Sequence, residues 1–394
     1  ATHLSADTKD LESLHGHILA VGYTVERAVV CQDEAINSQV YEAPVRSIVT
    51  FLEHPHTMVV GAASTAVAEV ARVVPLPLPD PKTGSLLDPG VLDVVTKLLD
   101  NITSTKLTSK VKERSCRAIG MLCLSDKFTY RQEIIDFFLS NVKEIKDVEI
   151  QLSVGEALVC CVLGPLSPLR QDLWTGIKSS SMSSFDPEPV CEALLQRLLS
   201  NVLPTPHPHA RQSCCMWLLA VLKHCNSLKA LKQHLMDLQR GFMDLLSENN
   251  DIVQDVASKG LALVYESGDV DSRSSLVNVL VDQLTVGRRS VSQVTKDTKL
   301  FEEGTLGKAP TGGNLSTYQE LCSLASDLNQ PDLIYKFMHL ANHNAIWNSK
   351  KGAAFGFSTI AKAAGEQLTA HLPKILPRLY RYQFDPTPKI QQSM

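Results

Sequence analysis

Apolar positions recur along the chain at the spacing of one face of an α-helix, in two alternating kinds of segment. The first kind repeats apolar residues at i, i+3, i+4 and i+7. Val45, Ile48, Val49 and Leu52 fit it, as do Val91, Val94, Val95 and Leu98. So do Ile135, Phe138, Leu139 and Val142, and then Leu195, Leu198, Leu199 and Val202. Residues 229–246 continue the series with Leu231, Leu235, Leu238, Phe242 and Leu245, and predict one helix. A short polar turn follows each segment and leads into the second kind: a residue x, a mostly small residue at x+4 and usually an apolar one at x+8. Val60, Ser64 and Ala68 show it, as do Val111, Ser115 and Ile119, and Ile150, Val154 and Leu158. Ala210, Cys214 and Leu218 follow, then Val253, Ala257 and Leu261, then Ser349, Ala353 and Phe357; Ile390 opens a last one at Met394. A small residue at x+4 lets two helix backbones approach closely while the apolar residue fills the layer behind.

The turns carry helix-start signals. Asp147, Asp251 and Asp385 stand just before the second helices, where a carboxylate caps free N–H groups. Three of the intervals between successive x positions lie near 40 residues, the period of HEAT or armadillo repeats. Two helices per unit favour HEAT, and the strict period of a tetratricopeptide array is absent. The longer intervals require insertions, which the composition places at 75–89 (Pro-rich), 164–186 (Pro- and Ser-rich) and 286–315 (Gly-rich). After the last, a helix is expected at about 316–328, capped by Ser316. The predicted fold class is all-α: an α-solenoid of HEAT-like antiparallel helix pairs. Residues 1–394 are read as a single continuous array of about seven to eight pairs, and as a fragment of a longer chain.

Composition narrows the function classes. The chain has 394 residues, 44% hydrophobic and 20% charged, enough apolar material for a packed core. Aromatics are only 6%, which argues against an all-β sandwich. A net charge of −4 offers no global field for nucleic acid, so no nucleic-acid partner is expected. The longest apolar run, Cys214 to Leu222, is far shorter than the roughly 20 residues of a membrane span, so no membrane insertion is expected. The 10 cysteines form no CxxC, and most sit in apolar helical stretches, as small core residues of a cytosolic or nuclear protein do.

Candidate chemistry is sparse. His54-Pro55-His56 and His207-Pro208-His209 resemble paired metal ligands, but each lies in the turn before a second helix, and proline splays the imidazoles. Gly304-Thr305-Leu306-Gly307-Lys308 lacks the GxxxxGK[ST] spacing and the preceding strand of a phosphate loop. Cys214 and Cys215, with His209 and His224 nearby, could suggest a thiol nucleophile, yet Cys214 holds an x+4 packing position. No catalytic, cofactor-binding or metal residue is therefore assigned, and no cofactor. Lys350-Lys351 and Arg378-Leu379-Tyr380-Arg381-Tyr382 are basic; Leu372, Ile375, Leu376 and Leu379 are expected to hold the second segment to the core. A solvated face is the plain reading, a contact with an acidic protein the sharper one. Within 286–315, Arg289 stands three residues before Ser292, a basophilic-kinase spacing, which makes Ser292 a candidate phosphosite in an insertion expected to be mobile and regulatory.

Three stretches carry a family resemblance: TYQELCSLASDLNQPDLIYKFM from Thr317, LANHNAIWNSKKGAAFGF from Leu340 and LPRLYRYQFDP from Leu376. They resemble the very large HEAT-repeat adaptor and scaffold proteins of the 26S proteasome, most specifically over about 305–394. The resemblance implies a non-enzymatic protein that tethers proteasome core and regulatory particles and acts in their assembly, quality control and stress remodelling. It also implies links to endosomes, the endoplasmic reticulum and motor proteins, with a cytoplasmic and nuclear location and peripheral membrane association. It transfers no site residue. The alternative is an importin-like HEAT-repeat transport receptor carrying protein cargo. That class calls for an acidic inner face, and the sequence has no long acidic run.

Overall fold

The computed structural model describes residues 10–31, 38–76, 78, 89–125, 128–168, 185–286, 296, 298, 300–301, 306–308, 315–385 and 388–393. The chain divides into two compact units, 1–191 and 192–394. The described residues contain helices and turns and no β-strand.

The first unit holds α1 (Leu11–Val30), α2 (Ser38–Thr50), α3 (Thr57–Val73), α4 (Pro89–Thr103), α5 (Ser109–Leu122), α6 (Arg131–Ser140) and α7 (Val148–Leu163), and the start of α8 (Glu188–Arg197). Helices α1, α3, α5 and α7 form a row, each packed on the next. Helices α2, α4 and α6 make a second layer behind α3, α5 and α7 respectively. The second unit continues α8 with a wider turn, Leu198–Val202, and adds α9 (Pro208–His224), α10 (Lys229–Gln233), α11 (Leu235–Leu245), α12 (Asp251–Ser267), α13 (Val270–Thr285), α14 (Tyr318–Asp327), α15 (Asp332–Ala364), α16 (Leu372–Tyr382) and α17 (Pro388–Ser393). Its row is α9, α12, α15, and α11, α13 and α16 supply its outer layer. Each unit is thus a stack of helix pairs, the all-α solenoid architecture expected from the periodicity.

The row helices sit in the register the x, x+4, x+8 pattern predicts. Every residue named for it from Val60 to Phe357 is buried. Ser64 and Ser115, both x+4 residues, face each other across α3 and α5 with hydroxyls 3.2 Å apart, and each hydroxyl also lies within hydrogen-bonding reach of the carbonyl four residues back. Gly22 extends the row to α1: a Cβ there would come within 2.7 Å of the Ala66 side chain. The alternation of segments does not reveal α1, although Leu14, Ile18, Gly22 and Val25 form one buried stripe and Asp10 caps the first turn. The apolar stretch Val148–Leu166 has the length of a membrane span, and it is mostly buried as the α7 core helix with its closing turn.

A second device recurs. The last carbonyls of a helix have no partner within it. Here a long polar side chain early in the following helix reaches back to them. Arg131 donates to the Cys123 and Ser125 carbonyls (2.9 and 2.7 Å). Gln151 reaches Ile145 (2.8 Å), Arg211 reaches Leu203 (2.5 Å), Gln254 reaches Leu246 and Glu248 (3.1 and 2.8 Å), and Arg273 reaches Tyr265 and Glu266 (2.9 and 3.0 Å). These staples fix the turns before α6, α7, α9, α12 and α13.

Several expectations change. Residues 229–246 break into α10 and α11 at His234, whose backbone (φ −90°, ψ 8°) leaves the helical region while its ring binds acidic residues on both sides. The cap of α12 is Asn250, which accepts from the Ile252 and Val253 N–H groups, and Asp251 lies in the first turn. The cap of α14 is Thr317 in a capping box with Glu320; Ser316 donates to that same carboxylate instead. Of the apolar residues expected to hold α16, Ile375 is buried, but Leu372 and Leu376 are 39% and 55% exposed.

The insertions are only partly described. Residues 77 and 79–88 of the first, and 169–184 of the second, lie outside the described residues, as do 287–295 of the third, and with them Ser292. The second leaves at Gly164 and returns at Phe185, whose ring stacks on the Arg131 guanidinium (4.4 Å to the centroid). Gly164 has φ +51°, and a Cβ there would lie 2.9 Å from Phe185 and 3.2 Å from Arg131. Gly164→Ala is expected to cost about 1–2 kcal/mol through the left-handed backbone alone, measured as a lower urea midpoint. In the third, Phe301 and Leu315 are buried with Leu321 and Ala341, flanked by Leu300, Leu306, Leu324 and Phe337. Backbone bonds from Leu300 and Phe301 to the Ser316 carbonyl, and from Tyr318 to Thr298, hold this satellite cluster together. It is carried by α14 and the first half of the 33-residue α15.

Candidate functional site

The candidate reactive groups of the sequence take structural positions. His56 and His207 are the residues at the starts of α3 and α9, with Pro208 in the first turn, and the His207 and His209 rings lie 5.7 Å apart. Among the described residues no group of three or more His, Cys, Asp or Glu is placed to hold a metal ion. Lys308 is exposed, and the residues directly after it, 309–314, lie outside the described residues. Cys214 and Cys215 are fully buried, and their thiols lie 3.6 Å from the Leu198 carbonyl and 3.7 Å from that of Val253. Burial pushes the Cys214 thiol up to about 12 and raises Cys215 well above its usual range. A thiol held neutral in the core is a packing group and a poor nucleophile.

Charged groups instead tie neighbouring helices together. Arg72 on α3 pairs with Glu26 on α1 (2.6 Å) and with Glu69 (3.2 Å), and Glu69 reaches Arg117 on α5 (3.3 Å). Asp147 accepts from Ser109 at the start of α5 (2.5 Å), and that hydroxyl holds its carboxyl below the usual range. In the second unit Arg211 on α9 binds Asp244 (2.7 Å) and Glu248 (2.5 Å).

His234, at the α10–α11 break, lies 2.7 Å from Glu192 on α8 and 3.4 Å from Asp237. The bond to Glu192 is the main reason its imidazole pKa is raised, with Asp237 adding to it against the cost of burial. A raised pKa in the folded state stabilises fully below the unfolded value, and the contribution disappears as pH rises through the folded one. The second unit is therefore expected to lose stability as pH rises above the ordinary imidazole value of 6.5. Urea midpoints should show a pH slope that His234→Gln flattens; an unchanged slope would discount the pair.

The two basic segments converge. Lys350 on α15 and Arg378 and Arg381 on α16 are close enough for the arginines to lower the lysine's affinity for its proton, after burial as the larger cause. Lys351, the next residue, turns the other way and pairs with Asp251 on α12 (2.7 Å). Trp347, one turn before Lys350, is 38% exposed and meets the Tyr382 ring edge-on at 5.9 Å. Sequence reasoning identifies both basic segments but not their approach, which the packing of α16 on α13 and the Trp347–Tyr382 contact produce.

No protein-family model matches the chain. Curated relatives do. "Proteasome adapter and scaffold protein ECM29" of Homo sapiens is 40% identical over 405 residues, covering 98% of this chain and 22% of that protein. "Proteasome-associated protein ECM29 homolog" of Drosophila melanogaster is 39% identical over 414 residues, covering 99% of this chain and 22% of that protein. "Proteasome component ECM29" of Saccharomyces cerevisiae is 37% identical over 321 residues, 77% of this chain and 17% of its own length. Solved structures give distant likenesses. A crystal structure of Kap121p covers 98% of this chain and 35% of that one at 15% identity (TM-score 0.48), and a designed armadillo repeat protein covers 66% of this chain and 96% of that one at 12% identity (TM-score 0.33). The sequence match runs through both units, and the chain, spanning about a fifth of the length of these curated relatives, is similar to a stretch of the ECM29 proteins at 39–40% identity.

Proposed function

We propose that this chain is a proteasome-binding segment of an adaptor and scaffold, acting through its surface and catalysing no reaction. The observation that carries the reading is the 40% identity to a protein named as a proteasome adapter and scaffold, sustained over 98% of the chain. The architecture suits it. A stack of helix pairs presents a long surface while its polar staples hold the turns between helices. Eight buried thiols and the histidines at the starts of α3 and α9 serve packing and turns.

In this reading the parent protein tethers core and regulatory particles, supports their assembly and quality control, works in the cytoplasm and nucleus, and meets endoplasmic reticulum, endosomes and motor proteins at its periphery. Ser292 and the 286–315 insertion are assigned a regulatory part in it. The test is direct binding of the purified chain to purified 26S proteasomes and to separated core and regulatory particles, read on native gels. Retarded proteasome bands support the proposal. No retardation of any particle, together with binding to an importin-type cargo signal, would move the chain to the transport-receptor class.

A further inference from the structure

The face shared by α15 and α16 in the second unit is unbalanced in charge. Lys350 lies one turn after Trp347 on α15, and Arg378 and Arg381 flank Tyr382 on α16, so the contact of those two rings brings the three cations to one face; Lys374 stands one turn before Arg378 on the same side of α16. The ion pairs elsewhere in the molecule use other cations, and none of these four takes part in an ion pair among the described residues. The carboxylate acting on neighbouring Tyr382 is Asp385, which is buried. The cluster therefore stands against the sign of the whole chain, whose net charge is −4. Asp385 is one carboxylate beside four cations, and like charges so gathered cost free energy in the isolated protein that an incoming anion removes.

The setting is apolar as well as basic. The half-exposed Trp347 indole lies against Tyr382, which follows Arg378 by one turn and adjoins Arg381. Trp, Tyr and Arg side by side are the composition of interface hot spots, where an aromatic anchor lies beside a charge-assisted hydrogen bond. Guanidinium groups bind carboxylates through two parallel N–H donors. Four cations are too few for a nucleic-acid track, and the adjoining indole and phenol offer apolar contact that a bare phosphate chain does not use. We propose that this face of α15 and α16 docks an acidic polypeptide segment that carries apolar side chains among its carboxylates. The surface and its ligand stand independently of the proteasome reading, which would survive their failure.

The test uses the whole 394-residue chain and a short fluorescein-labelled peptide of alternating Asp-Glu and Leu-Phe pairs, followed by anisotropy. The peptide is expected to bind, more weakly as salt is added. Combined Arg378→Glu and Arg381→Glu should weaken it roughly tenfold or more, and Trp347→Ala severalfold. Arg240→Glu, on α11 where the cation already pairs with Asp237 (2.9 Å), should leave binding unchanged. Arg378→Gln with Arg381→Gln, checked by an unaltered melting curve, gives the same loss without charge reversal. The proposal is overturned if the acidic peptide does not bind, if its Asn-Gln counterpart binds equally, or if the arginine variants bind like the parent. Tighter binding of oligouridylate or of phosphatidylserine vesicles than of the peptide would overturn it in favour of nucleic acid or membrane.

Discussion

Gly352→Ala is expected to destabilise the 192–394 unit by about 3 kcal/mol or more, the upper part of the range for overpacking a core. Gly352 lies on α15 one residue before the x+4 residue Ala353, and the backbone carbonyl of Leu246 occupies the space a Cβ would need. A side chain can swing aside, but a carbonyl at the end of α11 cannot: Gln254 binds that oxygen and holds it in place. The new methyl must push α15 away from α11, and the loss spreads to Ala353, Phe355 and Phe357, all buried nearby. For a unit of this size the melting temperature should fall by roughly 6–12 °C. Gly16→Ala gives the opposite sign. That glycine sits in α1, where a Cβ would meet nothing within 4 Å, and alanine there should add about 0.5–1 kcal/mol. Equal melting of Gly352→Ala and the parent would show that α11 and α15 are not in close contact.

Arg211→Met should cost about 2–3 kcal/mol, because three acceptors lose one donor. The guanidinium binds Asp244, Glu248 and the Leu203 carbonyl, and its side chain is 13% exposed. Asp244 and Glu248 are 45% and 30% exposed, so water recovers part of their loss, but the turn before α9 opens. The two carboxylates raise the arginine's pKa further, against the cost of burial. Adding Asp244→Asn and Glu248→Gln to Arg211→Met should recover part of the loss. A cost confined to the ion pairs would vanish in the triple variant; the remainder measures the staple to Leu203.

Periodicity places the row helices correctly because a close helix contact leaves a mark in composition: a small residue between larger ones at fixed spacing. Ser64, Cys214, Ala257 and Ala353 are legible for that reason. Gly22 carries the same mark, but no apolar i, i+3, i+4, i+7 segment is legible in the sequence ahead of it, so the alternation that reveals the others is missing. Leu372 and Leu376 show the opposite limit. Their spacing identifies an apolar face of α16, and nothing in spacing says whether another helix covers it. The staples are illegible because Arg and Gln at a helix start are ordinary surface choices until the preceding turn places carbonyls within reach. The placing of Lys350 near Arg378 and Arg381 is tertiary in the same sense, set by how α16 packs on α13 and brings Tyr382 to Trp347.

The length of α15 has a mechanical consequence. Thirty-three helical residues make a rod of about 50 Å. One end carries the Phe301 cluster and the other the Ala353 layer, with no turn between them to act as a joint. A load applied to the satellite cluster reaches the row along the helix axis, as shear across the whole α12–α15 contact, instead of opening that contact from one edge. Shear must break every layer at once, so the satellite is anchored by the core of the unit and not by a loop.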